Sequence, residues 1–76
     1  MTPLSEMLPG QRGKVVGFTV DSKISRRLLE LGVVPGRSVV YLRNAPLRDP
    51  MEVQIGPCCM TLRHSEAAII NVKLDR

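Results

Sequence analysis

Short segments in which apolar and polar residues alternate recur along this chain, and this pattern is typical of half-buried β-strands. The alternation is clearest where Met51, Val53 and Ile55 are interleaved with Glu52 and Gln54. Pro and Gly residues mark turns between the segments. The pattern predicts five strands, at residues 14–20, 38–43, 51–55, 59–63 and 69–73.

The first predicted strand contains a glycine that interrupts it. Val16, Phe18 and Val20 fall on one face if the alternation is regular. Gly17 lies between them, and a glycine in mid-strand often marks a β-bulge or a sharp bend. We therefore expect this strand to turn a corner of the sheet.

One segment follows a helical period instead of an alternating one. The Asp-Ser pair at residues 21–22 can cap the start of a helix. Ile24, Leu28 and Leu31 are then spaced as one apolar stripe. Gly32 suits the left-handed position that often follows a helix. The pattern predicts one short helix that packs through this stripe.

These elements predict a mainly β fold: a small, SH3-like, partly open five-stranded barrel with one inserted short α-helix. A helical turn at residues 4–8 is expected to plug one end of the barrel. A chain of 76 residues is expected to form a single domain, spanning residues 1–76.

The size and the charge of the chain limit the kinds of function that it can have. A domain this short buries only ~60% of the surface of its unfolded chain, which leaves little room for a deep small-molecule pocket. We therefore expect no catalysis and no cofactor, and a function carried by the outer surface. Eleven Lys and Arg against seven Asp and Glu give a net charge of +4, which favours acidic partners without identifying nucleic acid.

The cysteines and the N-terminal residues indicate the cellular compartment of the protein. Cys58 and Cys59 are adjacent, and neighbours are too close for an unstrained disulfide, so a reducing compartment is expected. The first ten residues lack the pattern of a signal peptide. Together these features predict a cytoplasmic location.

Three segments of the sequence form a recognisable set, in this order. Residues 27–36 read RLLELGVVPG, and residues 45–53 read APLRDPMEV. The third segment contains Leu62-Arg63, Glu66-Ala67 and Ile70-Asn71-Val72. Together they resemble the three signatures of the FeoA family. The resemblance covers roughly residues 4 to 73.

The resemblance implies a fold, a partner and a process. FeoA proteins are small cytoplasmic SH3-like domains that accompany FeoB, the membrane transporter of ferrous iron that carries a GTPase domain. The resemblance implies that this chain is an accessory or regulatory module that reaches the membrane only indirectly, through the transporter. An exposed strand edge could also pair weakly with a second copy. The same fold occurs in iron-dependent repressors, but this chain lacks their helix-turn-helix region.

Four residues are the candidates for contact with the partner. Arg26 and Arg27 lie on the polar side of the predicted helix, and arginine is well suited to bind carboxylates. Leu47 lies between two prolines in the loop at residues 44–50, with Arg48 beside it. An apolar anchor with a polar rim is the usual arrangement of a docking site.

Two other functions remain open at this stage. Cys58, Cys59 and His64, with Met60 between them, could bind or sense a metal, although adjacent strand residues point to opposite faces. A nucleic-acid module is the other alternative, because small basic barrels bind RNA. Single-strand binders need aromatic stacking surfaces, and here Tyr41 is the one plausible ring.

Overall fold

The computed structural model describes residues 1–44 and 49–75. Within these residues there are six β-strands and two α-helices. The strands are β1 (Thr2–Pro3), β2 (Arg12–Phe18), β3 (Ser38–Asn44), β4 (Met51–Ile55), β5 (Cys58–Leu62) and β6 (Ile70–Leu74). The helices are α1 (Lys23–Glu30) and α2 (His64–Ala67), and a 3₁₀ turn spans Leu4–Glu6.

The strands form one antiparallel sheet in the order β1-β6-β2-β3-β4-β5. This confirms the mainly β, SH3-like prediction, with one strand more than expected. The additional strand, β1, pairs Thr2 with Val72 and Pro3 with Asn71. Two residues are too few to show an alternating pattern, so only the backbone pairing reveals this strand.

The core lies between the curved faces of this sheet. Val, Leu, Ile and Met side chains dominate it, as the scarcity of aromatic residues requires, and Tyr41 is its only aromatic member that is fully enclosed. Leu4 and Met7 are buried at the 3₁₀ turn, where the sequence predicts a helical plug. The clean alternation of β4 is also confirmed, since Met51, Val53 and Ile55 all face inward.

A β-bulge in β2 overturns the predicted faces of that strand. Val15 pairs with Val72, but the next pair joins Gly17 to Asn71, so Val16 is the extra residue. The bulge reverses the alternation, and Val15 and Phe18 therefore face the core together. Val16 and Val20 are exposed, contrary to the prediction, whereas the bulge expected at Gly17 is confirmed.

Helix α1 is rotated relative to its predicted stripe. Its buried residues are Ser25 and Leu28, whereas Ile24 and Leu31 are about half exposed. The Ser25 hydroxyl is satisfied locally, because it accepts from the Ser22 backbone N–H at 2.8 Å and donates to the Ser22 carbonyl at 2.9 Å. The stripe prediction was wrong because a serine bonded in this way can be buried at little cost.

The end of α1 follows the prediction. Gly32 has a φ of +104°, which a residue with a side chain adopts only with strain. Its N–H bonds to the Leu29 carbonyl, and the Val33 N–H bonds to the Leu28 carbonyl at 2.9 Å. This is a Schellman arrangement, and it brings Val33 onto Leu28 in the core. The helix is thus held to the barrel at its C-terminal end.

The last third of the chain differs from the prediction only at its boundaries. The segment between the last two predicted strands is a single α-helical turn, α2, and the flanking strands are each displaced by one residue. No helix in the described ranges is long and apolar enough to cross a membrane.

Candidate docking surface

One border of α1, beside its buried face, presents an apolar strip to solvent. Ile24 is 45% exposed and Leu31 is 52% exposed. Arg27 lies between them in the helix, and residues spaced three, four and seven apart share one side of a helix. We call Ile24, Arg27 and Leu31 the α1 flank. An apolar strip carrying one cation has the composition of a protein-binding site.

The two predicted arginines have different surroundings. Arg26 is held at the start of the helix, where its Nε donates to the Ser22 carbonyl at 3.3 Å and lies 3.7 Å from Asp21 Oδ1. Arg27 is exposed on the α1 flank, and no ion pair joins it to another residue that the structure describes. Arg27 therefore has the more available guanidinium for a carboxylate on a partner.

The other two predicted contact residues, Leu47 and Arg48, lie outside the described residues. The chain on either side of them is well anchored. Asn44 accepts a hydrogen bond from the Tyr41 hydroxyl through its Oδ1. Asp49 Oδ1 accepts from the backbone N–H of His64 at 3.0 Å. The ends of the segment that carries Leu47 and Arg48 are therefore fixed to the barrel.

Asp49 is also the centre of a small charged cluster. The ring Nδ1 of His64 lies 3.1 Å from Asp49 Oδ1, and Arg63 Nη1 lies 3.9 Å from its Oδ2. The backbone and ring hydrogen bonds from His64 lower the pKa of the Asp49 carboxyl below its ordinary value. Asp49 is therefore a stable carboxylate that secures the start of α2.

The suggested metal ligands do not form a site. Cys58 and Cys59 are exposed on β5, where they face Ile55 and Gln54 on β4. His64 is already bonded to Asp49 through Nδ1. Across residues 1–44 and 49–75, no group of three His, Cys, Asp or Glu side chains could hold a metal ion.

The suggested stacking surface for nucleic acid is not available either. Tyr41 is only 2% exposed, and burial raises the pKa of its hydroxyl, partly offset by the bond to Asn44. Phe18 packs against the core. The Tyr41 ring therefore offers no free face to a base, and stacking is what single-strand binders depend on.

Two concave features of the described surface are small. One of about 270 Å³ is lined by Gly10, Gln11, Arg12, Leu74 and Asp75. Another, of about 240 Å³, is lined by Lys14, Lys73, Leu74 and Asp75. Both fall below the usual range of small-molecule pockets, ~300–1,000 Å³. The α1 flank is the candidate binding surface taken forward below.

Sequence reasoning assigned Ile24 and Leu31 to the core, and so missed them as surface residues. A signal was present in the composition of the helix, KISRRLLE, in which five of the eight residues are charged or hydroxylated. Such a helix can bury only a narrow line of side chains. The remaining apolar residues must then lie at its borders with solvent.

Comparison with known proteins places this arrangement in a family. The FeoA domain model matches residues 2–74. A fusion of Fe(2+) transport protein A with the Fe(2+) transporter FeoB, from Porphyromonas gingivalis, is 35% identical over 71 residues. The match covers 93% of this chain but only 8% of that much longer protein.

Solved structures agree with the family match in fold. The FeoA protein of Chlorobium tepidum superposes with a TM-score of 0.87 at 38% identity, covering 96% of this chain and 70% of that one. FeoA of Stenotrophomonas maltophilia, solved with zinc and described as an SH3 domain protein, has a TM-score of 0.82 at 32% identity. That match covers 96% of this chain and 91% of the other. The match over nearly the whole sequence, together with the shared barrel, shows that this chain belongs to the FeoA domain family, which takes part in ferrous iron transport.

Proposed function

We propose that this protein is a non-catalytic accessory module of ferrous iron uptake, which docks on the cytoplasmic part of a FeoB-type membrane transporter with a GTPase domain. The observation that carries the proposal is the fusion in Porphyromonas gingivalis, where a related segment and FeoB belong to one chain. Fusion keeps two domains at a high effective concentration, which benefits domains that work together. The same relationship supports a cytoplasmic location.

The α1 flank is the surface that we assign to this docking. Ile24 and Leu31 supply apolar area that would be removed from water, and Arg27 supplies a charge-assisted hydrogen bond. Leu47 and Arg48 are proposed as a second contact, since the segment that carries them is anchored at Asn44 and Asp49. Arg26 is assigned to the rim of the surface.

The mechanism we propose is a shift between conformations of the transporter. A domain that binds one state better than another changes their populations by its differential affinity. No chemistry in the domain is needed for this effect. In this mechanism iron is the cargo of the transporter and has no role as a ligand of the docking surface.

Binding to the transporter tests the proposal directly. The immobilised chain should retain the purified cytoplasmic part of a FeoB-type transporter, and the amount retained should differ between GDP, a GTP analogue and no nucleotide. Equal retention in all three states would contradict the population shift while leaving docking intact. No retention in any state would contradict the docking itself.

A further inference from the structure

The strand β5 is an unprotected edge of the sheet. It stands at the end of the strand order and pairs only with β4. Its backbone makes no further hydrogen bond to the described part of the chain. Proteins usually guard such an edge with charged side chains, proline or a bulge. The β5 sequence, Cys-Cys-Met-Thr-Leu, contains none of these, and its register with β4 is regular.

The opposite edge of the sheet is guarded. Strand β1 has only two residues, and one of them is Pro3, which has no N–H to offer to another strand. The contrast between the two edges restricts any strand pairing to β5.

The direction of the free backbone groups of β5 follows from the hairpin that it forms with β4. The Gly56 N–H donates to the Ser38 carbonyl at 2.9 Å, so the backbone groups of Ile55 point away from β3. Ile55 and Cys58 are therefore a hydrogen-bonded pair, as expected beside a two-residue turn. By alternation, Cys59 and Thr61 direct their N–H and C=O groups away from β4, into solvent.

We propose that β5 is a self-association site, at which two copies of this chain pair antiparallel through Cys59 and Thr61 about a two-fold axis at Met60. In this register Cys59 of one copy lies opposite Thr61 of the other, so all four outward groups of each edge are satisfied. The side chains at these positions are short, and both are exposed. The two sheets join into one continuous sheet.

The self-complementary register is the reason for choosing a second copy as the occupant, and charge is the reason for placing it at β5. Each molecule carries a net charge of +4, so most surfaces of two identical molecules repel one another. The five residues of β5 are uncharged, and an antiparallel copy of the same edge is complementary to it. An interface of two short strands belongs to the weak, transient class, so the dimer should depend on concentration.

Sedimentation equilibrium of the full chain under reducing conditions, up to about 1 mM because the interface is of the weak class, tests this pairing. The wild type should show a monomer–dimer equilibrium. Thr61→Lys places a cation on each edge and should weaken dimerisation at least about tenfold. Thr61→Pro removes an outward N–H that is not bonded to β4, and should act likewise. Gln54→Lys is the matched control, because it adds the same charge on β4, opposite Cys59 but away from the edge.

A cross-linking experiment locates the contact between the two copies. In the proposed register the two Cys59 residues are diagonal neighbours, ~7–8 Å apart, which is too far for a disulfide without backbone movement. A short bis-maleimide should link wild-type dimers and Cys58→Ser dimers, but not Cys59→Ser dimers. A wild type that is monomeric throughout, or a Thr61→Lys variant that dimerises like wild type while circular dichroism shows it folded, would overturn the proposal. Loss of transporter binding by Thr61→Lys with a monomeric wild type would assign β5 to the transporter instead.

Discussion

Asp49 and His64 are joined by two hydrogen bonds to a single carboxylate oxygen. The backbone N–H of His64 lies 3.0 Å from Asp49 Oδ1 and its ring Nδ1 lies 3.1 Å from the same atom. A carboxylate can only accept, so the ring proton is on Nδ1. This relationship joins Asp49, two positions before the start of β4, to the first residue of α2. It also accounts for a histidine that could otherwise be taken for a metal ligand.

The stability of the protein should depend on pH through Asp49. Its pKa is lowered in the folded state, chiefly by the His64 backbone hydrogen bond and then by the ring. Its contribution is therefore present above the unfolded pKa, ~3.9, and is lost as the pH falls through the lower folded value. Asp49→Asn should lower the melting temperature at pH 7, and the difference from wild type should shrink below about pH 4. A constant difference down to pH 2 would contradict this account.

Leu28 should carry most of the packing of α1. It is 1% exposed, and truncating a buried leucine costs about 2–5 kcal/mol. Leu28→Ala should lower the free energy of unfolding by about that amount in urea titrations. Ile24→Ala and Leu31→Ala should each change it by no more than about 0.5–1 kcal/mol, since both side chains are half in solvent. Equal losses at the three positions would mean that the predicted stripe packs after all.

The two glycines of β2 should respond differently to alanine. A Cβ at Gly13 would press on the backbone oxygen of Lys73 and lie 2.8 Å from Val72 Cγ1. Gly13→Ala should therefore destabilise the fold by about 1–3 kcal/mol, the usual cost of overpacking. Gly17→Ala meets no atom within 4 Å and serves as the matched control, with an expected change below about 1 kcal/mol in thermal or urea unfolding.

These predictions show what the sequence could and could not indicate. Alternation identified β4 because its whole inner face is buried, and Gly32 was recognisable because its φ of +104° is a local requirement. The inner face of β2 was not predictable, because the bulge at Val16 shifts the phase by one residue. Gly13 was not recognised because its constraint comes from β6, which is distant in sequence.

The candidate site, like the fold, could be predicted only in part from the sequence. Arg27 was predictable as an exposed cation, and the structure leaves it on the surface of α1. The apolar part of the α1 flank was not predictable from the sequence. A helical period alone cannot show that Ser25, which is bonded back to Ser22, takes the inward position. The assignments of Leu47 and Arg48 stay predictions.

Docking on the transporter should be sensitive to the α1 flank in a residue-specific way. Leu31→Asp and Arg27→Glu should each weaken binding of the cytoplasmic part of a FeoB-type transporter by about tenfold or more, as expected of central contact residues. Lys14→Glu matches Arg27→Glu in charge and lies on β2, opposite Lys73, so it serves as the control. Isothermal titration calorimetry measures the affinity of the wild type and of the three variants for the transporter. Equal weakening by Lys14→Glu and Arg27→Glu would indicate long-range attraction rather than contact at the flank.

The central claim is that this domain acts by binding the transporter through α1, and amide chemical-shift mapping tests it most directly. Titrating the isotope-labelled chain with the unlabelled cytoplasmic part of a FeoB-type transporter should shift or broaden the amides of residues 23–31, with those of β1 and β5 unchanged. An absence of shifts at saturating transporter, or shifts confined to residues remote from α1, would contradict the account.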